Sequence, residues 1–243
     1  MTVEQIVEDL KHTAGCKCYE PLPMDLLQAQ EDKLGLRFPT EYRRFLELTN
    51  GCEVYYGHYR IFGFDPNRSI DARRWNQNDY WKFAWSGAAD DYWCFGETAF
   101  GDQYAFAVGE LSRAEDVPVY QLHHGSMATG SPWDESFLAF LENEFLRNAR
   151  SPYSARERRA YEILGPLRLD QHVALVPPLL LLPTGDDGMN SQLQVMPSRA
   201  AMVCNGDLCV QWDAGCEQHK QVNRVEPCVD NNDLMRLRII WAD

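Results

Sequence analysis

The segment 36–51 constrains the fold most strongly, because it encodes one complete short helix with both of its ends. Pro39 suits the first turn of a helix, where its missing N–H leaves no hydrogen bond unmade and its φ angle is already helical. Asn50-Gly51 is typical of a helix stop. Between these ends, one face has the i, i+3, i+4, i+7 spacing of a buried stripe, formed by Tyr42, Phe45, Leu46 and Thr49. The segment therefore predicts a core helix that packs through this face.

Two more helices are predicted before this one, over residues 3–10 and 24–34, from apolar residues at helical spacing. After Gly51 the chain changes to short aromatic and β-branched runs separated by Gly, Asp and Pro, which is typical of an antiparallel sheet. The runs are 54–56, 59–64, 93–95, 104–108 and 117–122. Ser131-Pro132 then has the pattern of a helix N-terminus, so a further helix is expected to end this part of the chain near Arg147.

The remainder of the chain predicts one helix followed by strands. Ser154 and Glu157 have the spacing of a capping box, and Gly165-Pro166 ends that helix. Asn205-Gly206 lies between two runs with strand-like composition and predicts a two-residue hairpin turn. Further strands are expected over residues 192–196, 222–225 and 234–241.

Together these elements predict an α+β fold, in which helices pack on one face of an antiparallel sheet and a small, mostly β C-terminal domain follows. The expected boundaries are 1–149 for the α+β domain and 150–243 for a helix plus a small β-rich domain of unknown role. A chain of 243 residues can bury one large core or two modest ones, so its length allows this division.

The net charge of the chain is −13 at pH 7, from 23 basic and 36 acidic residues. This charge argues against unspecific binding to nucleic acid or anionic lipid and favours a basic partner. Most of the excess lies in residues 1–150, which hold 24 acidic and 14 basic side chains. The sequence contains no secretory signal pattern and no apolar run of membrane-spanning length, so a cytoplasmic protein is expected.

The sequence contains no Gly-x-Ser-x-Gly elbow, Walker loop or His-Glu-x-x-His motif. His123-His124 follows a predicted strand and is expected to lie in an exposed loop. Possible zinc ligands occur near the C-terminus without a Cys-x-x-Cys pair: Cys204, Cys209, Cys216, His219 and Cys228. The eight cysteines are expected to be reduced thiols. We therefore predict no catalytic residue, no metal and no cofactor.

The segment 81–102 is the best candidate for a partner-binding surface, because its large aromatic residues alternate with carboxylates, as in interface hot spots. Its members are Trp81, Trp85, Asp90, Asp91, Tyr92, Trp93, Glu97 and Asp102, and Asp71 and Asp79 upstream are added for the same reason. Two alternatives remain open. The aromatic side chains can belong to the core while the acids solvate a loop, and Gly101-Asp102 can serve turn geometry.

Several of these pieces occur in an order that resembles a known family. They are Pro39-Thr40-Glu41-Tyr42 with Phe45-Leu46, Asn50-Gly51, Ile61-Phe62-Gly63-Phe64, Ala99-Phe100-Gly101-Asp102-Gln103-Tyr104-Ala105-Phe106 and Ser136-Phe137-Leu138-Ala139-Phe140-Leu141. The set is similar to the SUKH superfamily, which includes fungal regulators of cell-wall synthesis and bacterial toxin-immunity proteins. The resemblance covers residues 20–147 and does not extend to the tail.

This resemblance implies an α+β domain without chemistry of its own. In bacteria such a domain commonly neutralises a toxin by covering its catalytic domain, and many of these toxins are nucleases with basic clefts that hold phosphates. The expected partner is therefore a basic, nuclease-like toxin domain, which an acidic surface attracts electrostatically. Two alternatives stay open: a regulatory scaffold, as in the fungal branch, and an enzyme whose site is assembled across both halves of the chain.

Overall fold

The computed structural model describes residues 1–77, 82–85, 87, 89–111, 116–124, 128–178, 181–182, 188–217, 222–229 and 235–242. Its helices are α1 (Val3–His12), α2 (Met24–Leu34), α3 (Thr40–Leu48), α4 (Ala72–Trp75), α5 (Phe137–Phe140), α6 (Arg147–Arg150), α7 (Ala155–Leu164) and α8 (Ser198–Glu217). A 3-10 turn forms at Lys82–Trp85, and a π-helical turn, Leu141–Leu146, joins α5 to α6. Within these described ranges, none of the helices combines the length and the apolarity needed to cross a membrane.

Seven antiparallel strands form one sheet in which each strand pairs with the next one along the chain. They are β1 (Lys17–Cys18), β2 (Cys52–Val54), β3 (Tyr59–Ile61), β4 (Tyr92–Thr98), β5 (Gln103–Ala107), β6 (Val119–His123) and β7 (Ala128–Asp134). Two separate hairpins follow, one of β8 (Gln171–Val176) with β9 (Gln192–Pro197) and one of β10 (Val222–Val229) with β11 (Met235–Trp241). The α+β fold class is confirmed, and the division of the chain into two domains at residue 150 stays a prediction.

The residues that follow α3 are hydrogen-bonded to the chain after β3. The Asn50 side chain accepts a hydrogen bond from the Phe64 N–H at 2.7 Å and donates one to the Phe64 carbonyl oxygen at 3.1 Å. Gly51 has a φ of 89°, and a Cβ there would lie 2.6 Å from the Ile61 carbonyl oxygen. A Cβ on Gly63 would lie 2.1 Å from the Asn50 carbonyl oxygen. Both positions therefore need glycine, because two backbone segments meet there without room for a side chain.

Aromatic rings fill the core between the sheet and the helices on its first face. The Tyr42 ring on α3 lies 5.1 Å from Phe137 on α5 and 5.5 Å from Phe95 on β4. Phe95 in turn stacks on Phe106 of β5 at 4.4 Å. All four rings are buried. The apolar stripe predicted for α3 therefore faces the sheet, as its spacing indicates.

Helices also cover the second face of the sheet. Trp75 on α4 is buried, donates its indole N–H to the Gln103 side chain and packs 5.9 Å from the His172 ring. Helix α8 contacts the 3-10 turn together with β8 and β9. Its Met202 is part of the main hydrophobic core. The C-terminal segment thus supplies part of the cover of the N-terminal sheet.

A buried ion cluster joins β3 and β4 to the segment after α7. The Arg60 Nη1 donates to one Glu97 oxygen at 2.9 Å, and the His172 Nε2 lies 2.8 Å from the other. All three side chains are buried. The guanidinium also donates to four backbone carbonyl oxygens, those of Gly57, Arg168, Leu169 and Gln171. Burial alone would raise the pKa of Glu97, but the charges of His172 and Arg60 outweigh it and lower that pKa, so the carboxylate is ionised.

The hairpin predicted at Asn205-Gly206 is wrong, because both residues lie inside α8. Most side chains over residues 201–209 are buried, and α8 contacts β8, β9 and β11. A glycine inside a helix costs about 1 kcal/mol relative to alanine, which the burial of several apolar side chains outweighs. The local turn signal therefore yields to tertiary packing.

The helix predicted to begin at Ser131-Pro132 is also misplaced, because these residues lie in β7. The helix begins after Ser136, whose Oγ accepts the Ala139 N–H at 3.1 Å. Among the described strands β7 pairs with β6 alone, and an edge strand accommodates proline because one side has no ladder partner. Tyr55 and Tyr56, predicted as strand, have φ values of 46° and 57° and form the turn between β2 and β3.

The π-helical turn places Glu144 in the core. Its carboxylate accepts hydrogen bonds from the Tyr104 Oη at 2.8 Å and from the Tyr153 Oη at 3.2 Å. Burial raises the pKa of Glu144 to about 7, the two tyrosine hydrogen bonds oppose the rise, and the charges of Asp134 and Glu157 add to it. A glutamate with a raised folded-state pKa stabilises the fold fully below its unfolded pKa and loses that contribution as the pH rises through the folded value.

We expect Arg60→Met to lower the free energy of unfolding by about 3–5 kcal/mol, because it leaves the Glu97 charge buried without its guanidinium partner. Adding Glu97→Gln to this variant should recover part of the loss, since it removes the uncompensated charge. Urea unfolding of the wild type and the two variants measures both effects. A double variant no more stable than Arg60→Met would show that charge is not the cause.

We expect Glu144 to make the protein less stable by roughly 2–3 kcal/mol as the pH rises from about 5 to about 8. Because Glu144→Gln removes this titration, the stability advantage of the wild type over that variant should shrink by the same amount over this interval. Urea unfolding at both pH values measures the difference. The exposed Glu135→Gln is the control, and its difference from the wild type should not change with pH. A pH-independent effect of Glu144→Gln would contradict the prediction.

Candidate partner-binding surface

Carboxylates and tyrosines form an accessible patch where β4 begins and β5 ends. We name it the acidic–aromatic patch, and its members are Asp90, Asp91, Tyr92, Glu110 and Tyr120. Asp90 and Asp91 are exposed, and the other three are half-buried. The Tyr92 ring packs edge-on against the Tyr120 ring, with centroids 5.2 Å apart. The Tyr120 Oη donates to Glu110 Oε1 at 3.1 Å.

Strand register brings the two tyrosines together. Tyr92 pairs with Ala107 across β4 and β5, and Ala105 pairs with Tyr120 across β5 and β6. Directly opposite residues share a face of the sheet, and the small alanines between the tyrosines leave room for the rings to meet. Neither Tyr120 nor Glu110 is among the site residues predicted from the sequence. A strand predicted over residues 117–122 contains Tyr120, but no sequence signal points to Glu110, because strand register cannot be read from composition.

Both phenols of the patch are protonated at neutral pH, as tyrosine side chains ordinarily are, and their surroundings raise their pKa values further. Burial raises the pKa of Tyr92, and the nearby charges of Glu110 and Asp91 add to this effect. The pKa of Tyr120 is raised by burial and by its hydrogen bond to Glu110. The hydroxyls are therefore neutral donors beside carboxylates. Such a group can meet a cationic or a hydrogen-bonding partner.

Two of the predicted tryptophans lie in the core. Trp85 is 3% exposed and Trp93 is 6% exposed. Trp93 packs 5.6 Å from the Phe38 ring and 6.4 Å from the Phe64 ring. Both side chains are buried instead of exposed in this conformation, because their rings fill the core, and their part in partner binding stays a prediction. Asp79 and Trp81 lie outside the described residues.

Three of the predicted carboxylates are buried as well, namely Asp71, Glu97 and Asp102. Glu97 belongs to the ion cluster with Arg60. Asp71 is the N-cap of α4, and its Oδ1 accepts the Arg74 N–H at 3.0 Å. Each of these acids satisfies donors inside the protein, so none is available as an exposed charge for a partner. Of the predicted residues that the structure describes, Asp90, Asp91 and Tyr92 remain accessible.

Asp102 holds the end of β6. Its Oδ1 accepts the His124 backbone N–H at 3.0 Å and lies 2.6 Å from the His124 Nδ1. Burial would raise the pKa of Asp102, but the charges of His124, His123 and Arg156 lower it overall. The sequence predicts an exposed His124, but its side chain is buried, because it contacts the buried Asp102 carboxylate. Gly101 precedes Asp102 and has a φ of 102°, so Gly101-Asp102 forms a turn that favours glycine at its first residue.

The cysteines considered as zinc ligands are spread over different elements. Cys204 and Cys209 lie on α8 instead of flanking a hairpin, Cys228 lies on β10, and His219 is outside the described residues. Burial raises the pKa of Cys204 to about 11, so it is a thiol at neutral pH. In the part of the chain that the structure describes, no three His, Cys, Asp or Glu side chains are grouped closely enough to hold a metal ion. The absence of a metal stays a prediction.

The contrast between buried and exposed acids can be measured. We expect Asp102→Asn to lower the free energy of unfolding by about 2–4 kcal/mol, because it removes a buried charge that holds His124. The double variant Asp90→Asn, Asp91→Asn should stay within about 0.5 kcal/mol of the wild type, since both side chains are exposed. Chemical denaturation provides the comparison. A similar loss for both variants would show that Asp90 and Asp91 are not surface residues.

The chain has no significant match among curated proteins. The family model described as the SMI1 / KNR4 family (SUKH-1) matches residues 21–143, just over half of the chain. This range contains Asn50-Gly51, Gly63 and Gly101-Asp102, and it confirms the resemblance to the SUKH superfamily. The chain therefore belongs to the SMI1/KNR4 family (SUKH-1).

Proposed function

We propose that this protein acts by binding another protein, as an immunity protein that covers the active site of a toxin in the cytoplasm. Membership of the SMI1/KNR4 family is compatible with an immunity role or a regulatory protein-binding role. The observation that carries the choice is the acidic–aromatic patch, which combines exposed charge with aromatic area. In this proposal the protein works by occlusion and catalyses no reaction.

The patch has the composition of an interface hot spot. Tyr92 and Tyr120 offer flat rings with little side-chain entropy to lose, and each keeps a neutral hydroxyl. Asp90 and Asp91 add charge at the rim, where it accelerates association more than it strengthens the final complex. The tyrosines would anchor the partner and the carboxylates would guide its approach.

The charge of the whole chain agrees with a basic partner. A net charge of −13 repels other acidic macromolecules and attracts a basic domain over distances of about one Debye length, near 8 Å at physiological salt. A nuclease-like toxin needs a basic cleft to hold phosphates. We therefore assign such a domain as the partner class, in preference to nucleic acid itself.

A genetic experiment tests the immunity role. Each reading frame beside the gene is expressed in a heterologous host with and without this protein, and growth is scored. We expect one neighbour to arrest growth and co-expression of this protein to restore it. If no neighbour is toxic, or if a toxic neighbour is not neutralised, the immunity role is wrong and the regulatory-scaffold alternative is favoured.

The binding surface has its own test. Replacing Asp90 and Asp91 by Lys should slow association with the neutralised toxin by about tenfold at low salt, because two attractive charges become repulsive. The difference should shrink at high salt. The control is the double variant Glu20→Lys, Glu162→Lys, which makes the same charge change at exposed positions outside the patch. Equal slowing in both variants would show that the patch does not contact the toxin.

A further inference from the structure

A cavity of about 670 Å³ lies between the β8–β9 hairpin, α8 and the β10–β11 hairpin. Its walls are largely apolar and include Ala174, Val176, Met196, Ala201 and Leu237, with Phe100 of the N-terminal part at one end. The volume falls in the range of about 300–1,000 Å³ that is typical of small-molecule sites. Apolar walls on three sides suit the apolar body of a ligand.

One cationic side chain, that of Arg224, lines this cavity. Its Nε donates to Glu226 Oε1 at 2.6 Å, its two Nη groups make none of the described hydrogen bonds, and no carboxylate occurs among the described lining residues. An anionic group can therefore bind the two Nη groups of Arg224, since a guanidinium holds a carboxylate through two parallel hydrogen bonds.

Two more polar side chains are placed to orient a ligand. The His124 ring is held by the contact of its Nδ1 with Asp102 at 2.6 Å. That contact fixes the ring plane, so the Nε2 keeps a constant direction. Asn205 on α8 also lines the cavity and adds a side-chain amide. A largely apolar pocket with a few placed polar groups is the usual construction of a ligand site.

We propose that this cavity binds a small amphiphile, with an apolar chain among Val176, Met196 and Leu237 and an anionic head group at Arg224. Most of the lining residues lie beyond the range that the family model matches. The site is therefore a property of the C-terminal segment. It does not depend on the proposed immunity role, because it shares no residue with the acidic–aromatic patch.

Decanoate and decanol test the proposal as a matched pair, since they share a chain and differ in the carboxylate. In NMR titrations of the full chain, we expect decanoate to bind saturably and at least about fivefold more tightly than decanol. The methyl signals of Leu175 and Leu237 should shift, whereas those of Leu10 and Leu46 in the other core should not. The absence of saturable binding, or shifts confined to other regions, would overturn the proposal.

Different variants test the contribution of Arg224 and that of the apolar walls to ligand binding. Arg224→Gln should remove the preference for decanoate over decanol, and Arg238→Gln is the matched control, because Arg238 is exposed on the neighbouring strand and does not line the cavity. Ala174→Trp should abolish binding of both probes by filling the cavity. If that variant does not fold, Met196→Trp tests the same point from β9. Unchanged preference in Arg224→Gln, or unchanged binding in a folded filled variant, would overturn the assignment.

Discussion

The buried contact between Arg60 and Glu97 determines how the two parts of this chain fit together. A buried arginine is tolerated only when its donors are satisfied. Here the sheet and its turns supply only some of the hydrogen-bond acceptors of the guanidinium. Three of its carbonyl acceptors belong to residues 168–171. The ring of His172 then contacts the second carboxylate oxygen of Glu97. The central strands therefore reach their full set of hydrogen bonds only when the C-terminal segment is docked.

The acidic residues of the chain have two distinct uses. Glu97, Asp102 and Asp71 are buried and accept hydrogen bonds that hold strands, a loop end and a helix start. Their charges are paired inside the protein, where the loss of one partner lowers the free energy of unfolding strongly. Asp90 and Asp91 remain in solvent, where they contribute little to stability and can act on an approaching partner. Burial thus decides which acids can contribute to recognition.

The family pattern has a physical explanation in this structure. Asn50, Gly51 and Gly63 form one close contact between the end of α3 and the chain after β3, and a Cβ at either glycine would overlap backbone atoms. A second segment of the family resemblance, Gly101-Asp102, holds the end of β6 through the contacts of Asp102 with His124. The patch lies within the range that the family model matches, whereas the cavity lies mostly beyond it. The two surfaces can therefore serve separate ligands.

The sequence by itself determined the elements whose signals are local. The stripe on α3, the helix over residues 24–34 and the sheet of short aromatic strands all follow from spacing and turn residues, and the structure confirms them. Only the tertiary structure decided that Asn205-Gly206 lies inside a helix, that Trp93 is core and that Tyr92 meets Tyr120. These outcomes depend on strand register and on contacts between distant residues, whose energies outweigh local propensities and leave no periodic signal in the chain.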